Sequence, residues 1–239
     1  MPFLLNTNIF LGMFMDIELH IFTNSTVNAP DTWHIENTYR SFKETWKKEM
    51  PVTVWCDRNP NKERCEEYIE KLRTLFPIVN TEVGGLSHGY HMAARGSTAE
   101  FLFMLEHDWE FYADRIPHTL DQILDGMRKD NILHLRFNRK PVNEPDAHAS
   151  FGHDIDWEDY EGSVFPYAMV KQVSNNPHII NRQRWIDEAA MHTHYIGFGN
   201  EYGLEEYLTA SPIRGAIYGP RGHLSTIKHT DGKDPEFKK

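Results

Sequence analysis

The sequence predicts an α/β domain with a mostly parallel central sheet and helices on both of its faces. Two observations carry this. Short strand-like segments take turns with segments of helical periodicity from about residue 17 to residue 137, and a β-α-β-α order implies parallel strands covered by helices. The run Glu100-Phe-Leu-Phe-Met-Leu105 is apolar without alternation, the mark of a central strand buried on both sides.

The elements follow in order. Ile17-Glu-Leu-His-Ile-Phe22 alternates apolar and polar residues and ends in Thr23-Asn24-Ser25, a strand running into a turn. Tyr39, Phe42 and Trp46 recur at helical spacing within Asn37–Lys48. A second strand, Val52-Thr-Val-Trp-Cys56, stops at Asp57-Arg-Asn-Pro60. Helix returns over about Lys62–Leu75, with Tyr68, Ile69, Leu72 and Leu75 on one face, and a short strand lies near Ile78–Val83. Ser87–Ser97 and Pro117–Arg128 are expected as helices, and Ile132–Phe137 as a strand. The stretch Lys140–Glu161, rich in Pro, Asp and His, reads as a long functional loop or lid. Asn181–Ala190 and Asn200–Leu208 read as helices, and the Gly/His/Lys-rich tail shows no periodicity.

At 239 residues, with 40% hydrophobic and 13% aromatic content, the chain can bury a large core, and no repeat or Gly/Ser linker divides it. One domain is therefore expected over 16–239. The net charge of −10 argues against a broad electrostatic grip on nucleic acid. It leaves room for an anionic substrate, because a bound divalent cation reverses the sign of a site. Cys56 and Cys65 match no zinc or redox spacing and are expected as free thiols in a reducing cytoplasm. Residues 1–15 are apolar but lack a basic leader and are too short to span a bilayer. They read as an N-terminal tail, with Met15 a natural start.

Ligands of open parallel sheets bind at the carboxyl ends of the strands. Three such ends carry polar clusters here: Thr23-Asn24, Asp57-Arg58 and Glu106-His107-Asp108. The last follows the buried central strand and presents hard oxygen ligands for Mn²⁺ or Mg²⁺, which can bridge a diphosphate. The pattern alone is equally compatible with acids that cap the next element or form ion pairs. Among the 14 histidines, His88-x-x-His91 and His192-x-His194 are spaced to share a metal, but neither pair comes with a third ligand. They read as a helix face and a loop.

The stretch Gly85-Leu-Ser-His-Gly-Tyr-His-Met-Ala-Ala-Arg95, followed by Ala99-Glu-Phe-Leu-Phe-Met-Leu-Glu-His-Asp108, resembles the helix–strand–DxD passage of GT-A glycosyltransferases. Asn37-Thr-Tyr-Arg-Ser-Phe-Lys43 and Val54-Trp-Cys-Asp57 are similar to the first helix and second strand of that Rossmann-like fold. The resemblance covers about residues 16–114. It implies a nucleotide-sugar half (16–115), an acceptor half (116–218) and a C-terminal lid (219–239). It implies Asp108 as the metal ligand, with Glu106, one carbon longer than the usual Asp, nearer the ribose or a metal-bound water. It further implies that Thr23, Asn24 and Asp57 hold the nucleoside and that Arg95 contacts the diphosphate or orients Asp108. From the tail, His229 would return to the metal, and Arg221 and Lys228 to phosphate.

The same resemblance implies an acceptor base in Gly199-Asn-Glu-Tyr-Gly-Leu-Glu-Glu-Tyr-Leu208. Alignment favours Glu206. Helical geometry favours Glu205, since Leu204, Tyr207 and Leu208 define the buried face and Glu201 and Glu205 flank it. The expected order is Glu205, then Glu201 and Glu206. Turn chemistry accounts equally for Asp57, and helix capping by Asn200 for the acidic first turn.

The expected activity is transfer of a hexose or pentose from a nucleoside diphosphate, UDP foremost, to a hydroxyl acceptor. A metal-dependent hydrolase or nucleotidyltransferase is the enzymatic alternative, although Thr23-Asn-Ser-Thr-Val-Asn28 lacks the glycine-rich phosphate loop of the latter. A sugar- or nucleotide-binding module without catalysis is the other. The acceptor is a glycan or, through a local basic patch of Arg136, Arg139 and Lys140, a modified nucleic-acid base. Nothing in the sequence fixes the oligomeric state.

Overall fold

The computed structural model describes residues 16–24, 31–58, 64–82, 84–142, 158–170, 175–190 and 213–230. Through the first half, β1 (Ile17–Asn24), α1 (Trp33–Trp46), β2 (Val52–Asp57), α2 (Cys65–Leu75), β3 (Val79–Asn80), α3 (Leu86–Gly96) and β4 (Phe101–Glu106) alternate. Their four strands pair in parallel, as the β-α-β-α pattern requires. After them come β5 (Trp109–Phe111), a 3₁₀ turn at Ala113–Arg115, α4 (Leu120–Lys129), β6 (His134–Arg136), β7 (Glu158–Tyr160), β8 (Tyr167–Val170) and β9 (His178–Asn181). A short helix, α5 (Arg182–Arg184), then widens into a π-turn over Trp185–Ala189, and β10 (Gly215–Tyr218) and β11 (Ile227–His229) follow.

Among the described residues, nine strands form one mixed sheet in the order β3-β2-β1-β4-β9-β6-β10-β8-β7, while β11 and β5 make a separate antiparallel ribbon. β9 is inserted antiparallel between β4 and β6. The central strand is as apolar as its sequence suggested. Phe101, Phe103 and Leu105 face the core under α1, α2 and α4, while Leu102 and Met104 face α3 and the π-turn. On the first face an aromatic cluster interlocks, with Phe103 edge-on to Phe42 at 4.9 Å and stacked on Phe137 at 5.7 Å.

Several boundaries differ from the sequence reading for local reasons. α1 begins four residues before Asn37, because Ile35, about a turn ahead of Thr38, extends its buried stripe. α4 begins at Leu120 and not at Pro117, because Thr119 and Gln122 form a reciprocal capping box, worth about 1 kcal/mol. In the segment expected as helix from Asn181, that first residue is instead the end of strand β9, and the helical part opens at Arg182, capped by the Asn181 side chain on Arg184 N at 3.1 Å. β10 and β11 lie where no periodicity was legible, and strands of 4 and 3 residues are too short to show one.

The basic patch is smaller than the sequence suggests. Arg136 is 1% exposed inside the sheet, so only Arg139 and Lys140, both half-buried, remain near the surface. Cys56 and Cys65 are buried free thiols. No described helix is long and apolar enough to cross a membrane. Residues 1–15, most of the expected lid at 140–161, and the helix expected at Asn200–Leu208 lie outside the described residues.

Candidate functional site

Strand register collects the polar ends at one edge of the sheet. Asn24 of β1 is level with Asp57 of β2, and Phe22 of β1 is level with Glu106 of β4. The three clusters read from the sequence therefore share the carboxyl edge, where such sheets bind ligands.

Beyond Glu106 the chain turns through His107 and Asp108 into β5. The turn is fastened from three sides. His107 N donates to Phe22 O at 3.0 Å, and the Thr38 hydroxyl of α1 donates to His107 O at 2.7 Å. On the far side, Thr230 N and Thr230 Oγ1 both donate to Asp108 O, at 2.8 and 3.0 Å.

The ribbon supplies the Asp108 side chain with its partner. β11 pairs with β5 so that His229 sits opposite Trp109, their rings 4.4 Å apart, and His229 Nε2 donates to Asp108 Oδ2 at 3.0 Å. Burial works to raise the Asp108 carboxyl. The hydrogen bond from His229 and the neighbouring His107 and His229 outweigh it, holding the group below the ordinary aspartate value. His107 is pushed down chiefly by burial, against the attraction of Asp108.

Asp108 Oδ1 is buried and has no hydrogen-bond partner among the described residues. A buried ionised oxygen left this way is expensive, and a cation removes the cost. Carboxylate oxygen suits Mn²⁺ or Mg²⁺, whereas an imidazole nitrogen beside it favours the transition metal, Mn²⁺, over Mg²⁺. No group of three or more His, Cys, Asp or Glu gathers for a metal among the described residues. Two protein ligands fit a cation whose remaining positions go to water and substrate phosphate, the usual way such ions are held beside nucleotides. Asp108 thus fits the group through Oδ1, and His229 fits it once its Nε2 gives up the hydrogen that it now donates to Asp108 Oδ2.

The structure places the other expected residues variously. The Thr23 hydroxyl shares a 2.7 Å hydrogen bond with the Tyr68 hydroxyl of α2, and Asn24 is exposed at the strand end. Asp57 is partly exposed and bridges to Glu82 through backbone. Lys228 alternates with His229 along β11, so it faces the other way, and pairs with Glu110 at 2.6 Å. Arg221 pairs with Asp159 on β7 at 3.3 Å. Arg95 is exposed in the last turn of α3, at the edge where β4 begins. The six residues of β4 separate that edge from Asp108 by about 20 Å, so Arg95 does not reach the turn, contrary to the contact expected of it. Glu201, Glu205, Glu206, His192 and His194 lie outside the described residues. Reading the sequence missed Thr38 and Thr230. Thr38 was legible only as part of the buried stripe of α1, and Thr230 only as the neighbour of a candidate histidine.

No family model matches the chain, and no curated protein sequence matches it. Solved structures do. The chain is similar to S. aureus TarS 1–349 in complex with UDP-GlcNAc, at a TM-score of 0.54 and 15% identity, over 93% of this chain and 60% of that one. A second structure of S. aureus TarS 1–349 gives a TM-score of 0.52 at 15% identity, over 91% and 61%. GalNAc-T7 with UDP, GalNAc and Mn²⁺ gives 0.54 at 11% identity, over 91% and 44%. The chain thus spans about 60% of the TarS 1–349 length that it matches. Sheet order, the acidic turn after β4 and these likenesses agree: the chain is built on the GT-A glycosyltransferase fold.

Proposed function

We propose that the protein transfers a sugar from a nucleoside diphosphate, UDP foremost, to a hydroxyl acceptor, with Mn²⁺ or Mg²⁺ held by Asp108 and His229. The observation that carries this reading is the buried, unpartnered Asp108 Oδ1, in a turn to which the ribbon delivers an imidazole. The UDP complexes of TarS and GalNAc-T7, one of them with Mn²⁺, support the same donor class.

The level ends of β1 and β2 suit the nucleoside, with Asp57 accepting from base or ribose and Thr23 and Asn24 beside it. A cation at Asp108 supplies neutralisation of the leaving diphosphate, where charge develops. Glu106 lies one strand over from Phe22 and is suited to the ribose. Lys228 and Arg221 would have to exchange their carboxylate partners for phosphate. Glu205, followed by Glu201 and Glu206, is the proposed acceptor base.

Thermal unfolding with UDP and a panel of UDP-sugars, with and without Mn²⁺, tests the reading. Ligand at about 100 times its dissociation constant should stabilise the fold by roughly 2.7 kcal/mol. A protein that neither UDP nor any UDP-sugar stabilises in the presence of Mn²⁺ is not of this class.

A further inference from the structure

Beneath the acidic turn, on the α3 side of the sheet, lies a buried polar row that the metal and nucleoside assignments leave unused. β9 starts at the carboxyl edge, and its first residue, His178, is level with Met104 of β4 and Arg136 of β6. Met104 and Glu106 alternate onto the same face, so this row sits about 7 Å under Glu106. His178 is 1% exposed, its ring 5.6 Å from Tyr90 of α3 and 4.5 Å from His134.

One hydrogen bond decides the tautomer. His178 Nδ1 lies 2.7 Å from Asn176 O, and a carbonyl only accepts, so Nδ1 carries the hydrogen. In the neutral ring Nε2 is then a lone pair. Burial above all, with Arg136 adding to it against the backbone hydrogen bond, pushes the imidazole down to about 4. Nε2 is buried and has no hydrogen-bond partner among the described residues. The same holds for Ser87 Oγ, on the first turn of α3, three residues and so about one helical turn before Tyr90.

These atoms define a ligand chemistry. Nε2 takes only a donor, Ser87 Oγ gives or takes, and the guanidinium of Arg136 disfavours a cation. A neutral group with several hydroxyls satisfies all three. In a nucleotide-sugar the part next to the diphosphate is the sugar, which bears such hydroxyls. We propose that His178 Nε2, together with Ser87 Oγ, receives a hydroxyl of the transferred sugar and discriminates among donor sugars. This rests on the nucleotide-sugar reading above.

Calorimetric titration of the full chain with Mn²⁺ against UDP, UDP-glucose, UDP-galactose, UDP-N-acetylglucosamine and UDP-N-acetylgalactosamine provides the test. His178→Phe keeps a ring but removes the acceptor. It should leave UDP affinity within about twofold and weaken the preferred UDP-sugar by about five- to tenfold, the size of one hydrogen bond. A folded variant whose UDP-sugar and UDP affinities keep their wild-type ratio overturns the role of His178. Should the variant not fold, ¹⁵N-histidine NMR of the unaltered protein decides. The His178 Nε2 resonance should move when the preferred UDP-sugar replaces UDP, and an unmoved resonance overturns the role equally. If the wild type binds none of these compounds, the nucleotide-sugar reading itself falls and takes the role of His178 with it. UDP binding with a silent His178 removes only the latter.

Discussion

Thr230 clamps the carbonyl of Asp108 with two donors, its backbone N–H at 2.8 Å and its hydroxyl at 3.0 Å. The same hydroxyl lies 3.4 Å from His34 Nδ1 of α1. One residue of the ribbon therefore ties the acidic turn to β11 and to the first helix. His229, its neighbour, is held in line with Asp108 as a result.

Thr230→Val should keep the backbone clamp and lose the hydroxyl. We expect a loss of about 1 kcal/mol in stability and weaker Mn²⁺ binding, read by denaturant unfolding and by metal titration of the same samples. Unchanged metal affinity would mean that β5–β11 pairing alone positions His229.

Asp108→Asn preserves shape and removes charge. Turnover should fall by on the order of 10²–10⁴, about 3–5 kcal/mol of barrier, and the Mn²⁺-dependent part of the UDP thermal shift should vanish. His229→Ala should reduce the metal shift with a smaller effect on metal-free stability. Full activity of Asp108→Asn in EDTA would falsify the metal assignment.

Gly126 offers a packing test. A glycine inside a helix is normally worth replacing, since alanine is preferred by about 1 kcal/mol. In α4, however, a methyl at Gly126 would overlap the ring of the buried Phe165. Gly126→Ala should therefore destabilise, by about 1–3 kcal/mol, through overpacking. Chemical denaturation gives the sign, and a stabilised variant would show that Phe165 yields easily.

Acid should weaken the fold through His178. Its folded value of about 4 lies below the ordinary 6.5, so the unfolded chain binds the proton more readily. The neutral ring's contribution is complete above pH 6.5 and is lost as pH falls toward 4, about 3 kcal/mol in all. Arg136, His134 and Tyr90 pack around the ring, and Arg136 opposes its protonation. Stability curves of wild type and His178→Phe between pH 7 and pH 4 should converge by that amount. Parallel curves would show that His178 is protonated without cost.

The parallel half of the fold was legible because its signals are local: alternation in β1, the apolar run of β4, helical stripes in α1 and α2. Asp108 was legible for the same reason, as an acid at the end of a buried strand. The mixed half was not. β9 is not legible, and its last residue, Asn181, reads as the start of the following helix, because His178-Ile-Ile-Asn181 is short and runs straight into α5, and its place between β4 and β6 is a long-range choice. Arg136 looked like surface charge because its burial depends on the strands beside it. Arg95 looked close to Asp108 in sequence, yet β4 carries the chain to the opposite edge between them.

The Asp108–His229 contact also has a consequence in time. During synthesis at about 5–20 residues per second, the 121 residues from 109 through 229 take on the order of 6–24 s to add. β1 to β4 can pair in that interval, since their contacts lie within the first half. The nascent acidic turn meanwhile has neither its imidazole nor the Thr230 clamp, so Asp108 would face any cation met during translation without them. Competence at this edge of the sheet arrives with the ribbon, after the scaffold that carries it.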